Sequence, residues 1–124
     1  MTKVAVVGNQ EGWTYEFVKS VLEKLEIDHT YTLISGGAKG VDTYAEMYAK
    51  EKGCTIIVHH PKPHIPSPDR YFQRNQQIAE ECDWMVAFDR KSGAAGTKNT
   101  VAHAKRANKA IFLYKDENSY AKGF

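Results

Sequence analysis

Five short apolar runs recur along this chain, and a segment of helical periodicity separates each run from the next. Val4-Ala5-Val6-Val7 ends at Gly8, and Tyr31 to Ile34 ends at Ser35-Gly36-Gly37. Thr55 to Val58, Trp84 to Phe88 and Ala110 to Tyr114 complete the series. Runs of this kind, apolar without alternation, fit strands covered on both faces. Between them, apolar residues repeat at helical spacing. The first set is Phe17, Val18, Val21, Leu22 and Leu25; the second is Val41, Tyr44, Ala45, Tyr48 and Ala49, stopped by Gly53. Asp69 to Cys82 gives a third helix and Thr97 to Asn108 a fourth. Strictly alternating strands and helices need right-handed crossovers, which leave few topologies. The prediction is an α/β fold: a three-layer, Rossmann-like domain with a five-stranded parallel sheet and helices on both faces. The 124 residues suit one domain, 1–124, with a polar and loose tail over 115–124.

In such sheets ligands sit beyond the carboxyl ends of the strands, where the strand order reverses. Three glycine loops fall there. Gly8-Asn9-Gln10-Glu11-Gly12 follows the first strand, and matches neither the dinucleotide GxGxxG pattern nor a P-loop. A plain strand-to-helix turn explains it as well as a ligand does. Ser35 to Asp42 holds Gly36, Gly37 and Gly40, more glycine than a turn needs, with Lys39 among them. Ser92 to Thr100 holds Gly93 and Gly96, then Thr97 and Lys98. Loops that open onto helix N-termini offer backbone N–H groups to an anion. Thr97 can cap its helix or touch phosphate, and Lys98 suits a phosphate partner. Two readings fit Asp42: a carboxylate favoured by the helix dipole, or an acceptor for a ribose hydroxyl or a base.

Composition narrows the function classes. The net charge is +2, too small to imply a nucleic-acid partner. A stretch without acidic residues, from Lys91 to Tyr114, carries Lys98, Lys105, Arg106 and Lys109, which reads as a solvated helix face or an anion-attracting surface. No apolar stretch reaches the roughly 20 residues of a membrane span. Met1 to Val7 lacks the regions of a signal peptide, so the expected location is the cytoplasm. Cys54 and Cys82 match no metal spacing and read as reduced, partly buried thiols. Prolines 61, 63, 66 and 68 keep residues 60–68 out of helix and central strand, and His59, His60 and His64 cluster there. Three histidines without a clear fourth ligand make a poor zinc site, so no metal is expected, and these residues could instead rim the pocket. No GxSxG nucleophile elbow is present.

The segments Val4–Gly8, Ile34–Thr43 (ISGGAKGVDT), Arg74-Asn75 and Gly96–Thr100 (GTKNT) together resemble the SLOG superfamily, which includes the LOG phosphoribohydrolases and the DprA DNA-processing proteins. The branch most similar is that of small YspA/YpsA-related proteins, and the resemblance runs from about Lys3 to Leu113. It implies a nucleotide-derived ligand held by Gly36, Gly37, Gly96 and Thr97, with Arg74 and Asn75 reaching toward the same crevice. One departure matters. LOG hydrolases carry a glutamate after the GT pair, where this chain has Thr100, and Ala102 stands where related small proteins often place one. Hydrolysis would have to draw its carboxylate from Asp42, Glu46 or Glu11, and Asp42, Glu46 and Arg74 are the catalytic candidates.

The expected ligand-binding set is Gly8, Asn9, Gln10, Trp13, Ser35, Gly36, Gly37, Lys39, Gly40, Asp42, Arg74, Asn75, Gly93, Gly96, Thr97 and Lys98. Loop amides and Lys98 would hold phosphate, Asp42 ribose, and Trp13 the base; Tyr15, Tyr71 and Phe72 are further aromatics able to stack or to pack a core. Gly37→Val is expected to weaken binding far more than folding. Tyr44, Tyr48 and Trp84 would suit a homodimer interface. The expected function is binding of a phosphorylated nucleotide or nucleotide-derived small molecule, as a sensor or sequestering module, without a required cofactor. The rivals are hydrolysis of the N-glycosidic bond of a nucleoside monophosphate and, more weakly, DprA-like DNA binding.

Overall fold

In a computed structural model of the chain, which describes residues 1–118 and 122–123, strands and helices alternate as the apolar pattern requires. The elements are β1 (Lys3–Gly8), α1 (Tyr15–Lys24), β2 (Thr32–Ser35), α2 (Val41–Lys52), β3 (Thr55–Val58), α3 (Asp69–Glu81), β4 (Trp84–Phe88), α4 (Ala95–Arg106), β5 (Ala110–Tyr114) and β6 (Lys122–Gly123). Five parallel strands stand in the order β3-β2-β1-β4-β5, a Rossmann-like arrangement. The chain builds outward from β1 to β3, then crosses back to β4 on the other side of β1. The order therefore reverses between β1 and β4, where Gly8 pairs with Phe88. The tail expected to be loose from Lys115 instead returns: β6 pairs antiparallel with β5, Leu113 opposite Lys122. The rest of that tail, residues 119–121 and 124, lies outside the described residues.

The central strands β1 and β4 are apolar almost throughout because helices cover both faces, whereas the edge strand β3 is partly exposed. Along β1, Val4 and Val6 enter one core with Val18, Leu22, Leu33 and Tyr48 from the α1 and α2 side. Ala5 and Val7 enter the other, with Ile34, Ile78, Met85 and Ile111 on the α3 and α4 side. This alternation follows from the two-residue period of a strand. Trp13, expected near a base, lies in the first core at 6% exposure, stacked against Phe17 and edge-on to Phe88. The proposed dimer aromatics are packed internally: Tyr48 is buried and its hydroxyl donates to the Ile27 carbonyl, Tyr44 donates to the Trp13 carbonyl, and Trp84 meets Tyr31 and Phe112 edge-on.

Helix ends decide what reaches the sheet's upper edge. Thr14 caps α1, its hydroxyl accepting from the Phe17 N–H at 3.2 Å. α4 starts at Ala95, two residues before the expected Thr97, with no side chain capping its first turn. Thr97 is thus inside the helix and not its cap, and Gly96 belongs to the first turn. Cys54 and Cys82 are buried free thiols. Among the described residues no helix is long and apolar enough to cross a membrane.

Candidate functional site

The crevice at the β1/β4 reversal is a cleft of about 420 Å³. All three glycine loops reach it. The β1–α1 connection contributes Gly8, Asn9, Gln10 and Glu11, and the β2–α2 connection contributes Gly36, Ala38 and Asp42. α3 supplies Arg74, Asn75 and Ile78, and the β4–α4 connection with α4 supplies Arg90, Ser92, Gly93, Gly96, Thr97 and Thr100. Ten of the sixteen expected ligand residues therefore share one cavity.

The other six stand elsewhere. Trp13 is in the core. Ser35 is fully buried behind its loop: it accepts from the Gly37 N–H at 3.3 Å and donates to the Asp42 carbonyl at 3.2 Å. Gly37 sits at φ 72°, with the His60 ring packed where a side chain would go. Gly40 lies against the Asn9 and Gln10 carbonyls, and Lys39 is exposed away from the cleft. Lys98 folds back on its own loop, pairing with Asp89 at 3.0 Å and donating to the carbonyls of Arg90 and Gly93. Its ammonium is spent on holding the β4–α4 connection.

Asn9 ties the first and third loops together. Its amide oxygen accepts from the Trp13 indole N–H at 3.1 Å and from the Arg90 N–H at 2.7 Å. Its amide nitrogen donates to Asp89 at 3.1 Å and, more weakly, toward Thr97 at 3.4 Å. The side chain is 7% exposed, and its hydrogen-bonding capacity is filled by protein. Arg74 and Asn75 form a second strut. Arg74 Nε donates to Asn75 Oδ1 at 2.9 Å, and its Nη1 donates to the Gly36 carbonyl. Asn75 then donates to Asn99 at 3.1 Å and toward the Gly96 carbonyl at 3.4 Å, which joins α3 to α4.

Asp42 has the most perturbed carboxyl of the cleft. Burial pushes its pKa up to about 6; the Ala38 N–H, the Arg74 guanidinium and the Gly36 N–H oppose the rise, and Glu46 adds to it. The Ala38 N–H donates to Oδ2 at 3.2 Å. Glu46 is behind Ser35 and outside the cleft wall, whereas Glu11 is on it. At the glutamate position of the LOG motif, Thr100 is buried and donates to the Gly96 carbonyl at 3.1 Å.

The cleft also holds residues that the glycine pattern does not mark. Arg90 lies across Gly12, and among the described residues no carboxylate pairs with its guanidinium. Ser92 stands beside it on the rim. The signal for Arg90 was its place two residues after the fourth strand, next to the first glycine loop. His59 pairs with Glu81 at 3.2 Å, and His60 packs on Gly37. Among the described residues no group of three or more His, Cys, Asp or Glu is placed to hold a metal ion.

The model of the YspA, cpYpsA-related SLOG family matches residues 2–64. The matched segment covers β1 through β3 and the first two glycine loops, and the chain belongs to this family. No curated protein matches it. DNA processing protein A (DprA) from Streptococcus pneumoniae superposes with a TM-score of 0.76 at 23% identity, covering 91% of this chain and 50% of that one. DNA processing protein A from Helicobacter pylori, which binds single-stranded DNA, gives 0.66 at 18% identity, covering 98% of this chain and 68% of that one. At these identities the likeness is one of fold. The chain spans half the length of the S. pneumoniae protein.

Proposed function

We propose that this SLOG-family chain binds a phosphorylated nucleotide or nucleotide-derived small molecule in the cleft, as a sensor or sequestering module. One observation carries the reading. Among the glycines at 8, 12, 36, 37, 40, 53, 93 and 96, only Gly96 has nothing within 4 Å of the place a Cβ would occupy. The others are accounted for by backbone shape or by neighbours within the protein. Gly96 is in the first turn of a helix, where glycine costs roughly 0.5–1 kcal/mol relative to alanine. A bare backbone in the cleft lining, with open space beside it, suits a ligand that approaches closely.

The chemistry at that point favours phosphate. The first turn of α4 has no side-chain cap and its residues Gly96 and Thr97 line the cleft, so its N–H groups and the positive end of the helix dipole are available to an anion there. Arg90 takes the charge-pairing role expected of Lys98, with Ser92 beside it. At the other end Asp42 is placed to accept from a ribose hydroxyl, and Arg74 and Asn75 hold the walls in place.

A second reading, N-glycosidic hydrolysis, is favoured by Asp42 alone. A buried carboxyl with a pKa of about 6 keeps a protonated fraction near neutral pH, as a general acid requires. DNA binding has weaker support in a net charge of +2. Calorimetric titration with AMP, GMP, CMP and UMP, followed by chromatography for released base, separates these readings. Saturable binding without released base is expected. Robust turnover lost in Asp42→Asn would establish the hydrolase instead. Absence of binding to all four, with affinity for single-stranded DNA that falls steeply with salt, would favour the third.

A further inference from the structure

Among the described residues no aromatic side chain lines the cleft, and Trp13 is sealed in the core, so a nucleobase there would meet Val7, Ala38 and Ile78 but no flat ring to stack on. The inward stripe of α3 offers one. Asn75, Ile78 and Ala79 are its buried members, at 4%, 2% and 0% exposure. Helical spacing places Tyr71 four residues before Asn75, and Phe72 seven before Ala79, on that same side. Both are nevertheless 44% exposed, in the first turn of α3, which follows β3 and so starts at the carboxyl edge of the sheet, where the cleft lies. The next turn supplies the cleft residues Arg74, Asn75 and Ile78. The Arg70 guanidinium lies 5.9 Å from the Tyr71 ring centre. An exposed aromatic pair on the continuation of a buried stripe, beside the cleft, is a surface for a flat ring.

We infer that Tyr71 and Phe72, just outside the cleft lining, form a base-stacking ledge at its α3 rim, so that the ligand carries an aromatic base next to α3 and its phosphate at α4. This inference rests on the phosphate-binding reading above. Stacking on an exposed aromatic is tolerant of base identity, so the ledge selects for a base and not for one particular base.

The test compares AMP with ribose 5-phosphate on wild type, Tyr71→Ala, Phe72→Ala and Tyr71→Phe, with melting curves to confirm folding. Wild type should bind AMP more tightly than the phosphosugar. Each alanine variant should lower AMP affinity roughly tenfold and leave ribose 5-phosphate within about twofold, and Tyr71→Phe should retain AMP. Equal affinity of wild type for both probes, or an unchanged ratio in both alanine variants, would overturn the stacking ledge and leave the phosphate grip standing. An unchanged ratio accompanied by loss of a dimer would assign these rings to a contact between copies. Failure of wild type to bind either probe would overturn the phosphate reading and this inference with it.

Discussion

At the scale of single residues, Gly37 and Gly96, both expected to serve a ligand, differ in their surroundings: Gly37 is fixed by the fold and Gly96 adjoins open space. Gly37→Val would place a branched side chain at φ 72° against His60 and Val58, so it damages the loop itself. Gly96→Ala adds a methyl to open space and removes a helix-disfavouring residue. Its melting temperature should equal or exceed that of wild type, by up to about 1 kcal/mol in stability, while nucleoside monophosphate affinity falls roughly tenfold from the steric clash. Equal affinity in wild type and Gly96→Ala would contradict the placement of phosphate there. Asp42 makes a pH-dependent prediction. Unfolded aspartate titrates near 3.9, and in the fold burial lifts Asp42 to about 6. Between those values the native state keeps a proton that the unfolded chain has released. Stability therefore falls as pH rises from about 4 to about 6, a penalty on the order of 3 kcal/mol that persists above. Asp42→Asn should gain on wild type as pH is raised from 4 to 7.5, measured by urea denaturation at each pH. A stability difference that does not change with pH would refute the buried, weakened carboxylate.

At the scale of elements, the strands were legible because each is an apolar run bounded by punctuation, and three of the five have the expected bounds. The helix starts were less so. Gly96 disfavours helix and Ala94 is not a capping residue, so α4 reads from sequence as starting at Thr97. That two-residue difference changes the site, since it turns Gly96 from a loop glycine into an exposed helix backbone. The contacts of Lys98 were hidden for a related reason: sequence shows its charge but not that Asp89 and two carbonyls stand within its reach. The Asn9 hub was legible only as a residue in a glycine loop. Its bonds to Trp13, Arg90, Asp89 and Thr97 span the two connections that flank the β1/β4 switch point. Asn9→Ala leaves a buried indole N–H and the Arg90 N–H without acceptors, and a loss of about 2–4 kcal/mol is expected by denaturation. A loss below about 0.5 kcal/mol would show that the hub does not hold the loops together.

At the scale of the whole molecule, the topology does what no motif in the sequence does alone. Separate connections after β1, β2 and β4, with the face of α3, meet around one cavity because the strand order reverses beside β1. The periodicity of the sequence was enough to predict this convergence, since five alternating units leave little choice of fold. It could not reveal which loop side chains turn inward, because that depends on contacts between segments roughly 80 residues apart, such as Asn9 with Arg90. The account is tested most directly by a crystal structure of the protein soaked with AMP. Density for the phosphate within hydrogen-bonding distance of the N–H groups at Gly96 and Thr97, and beside Arg90, is the predicted result. AMP bound with its phosphate remote from the first turn of α4 would contradict it.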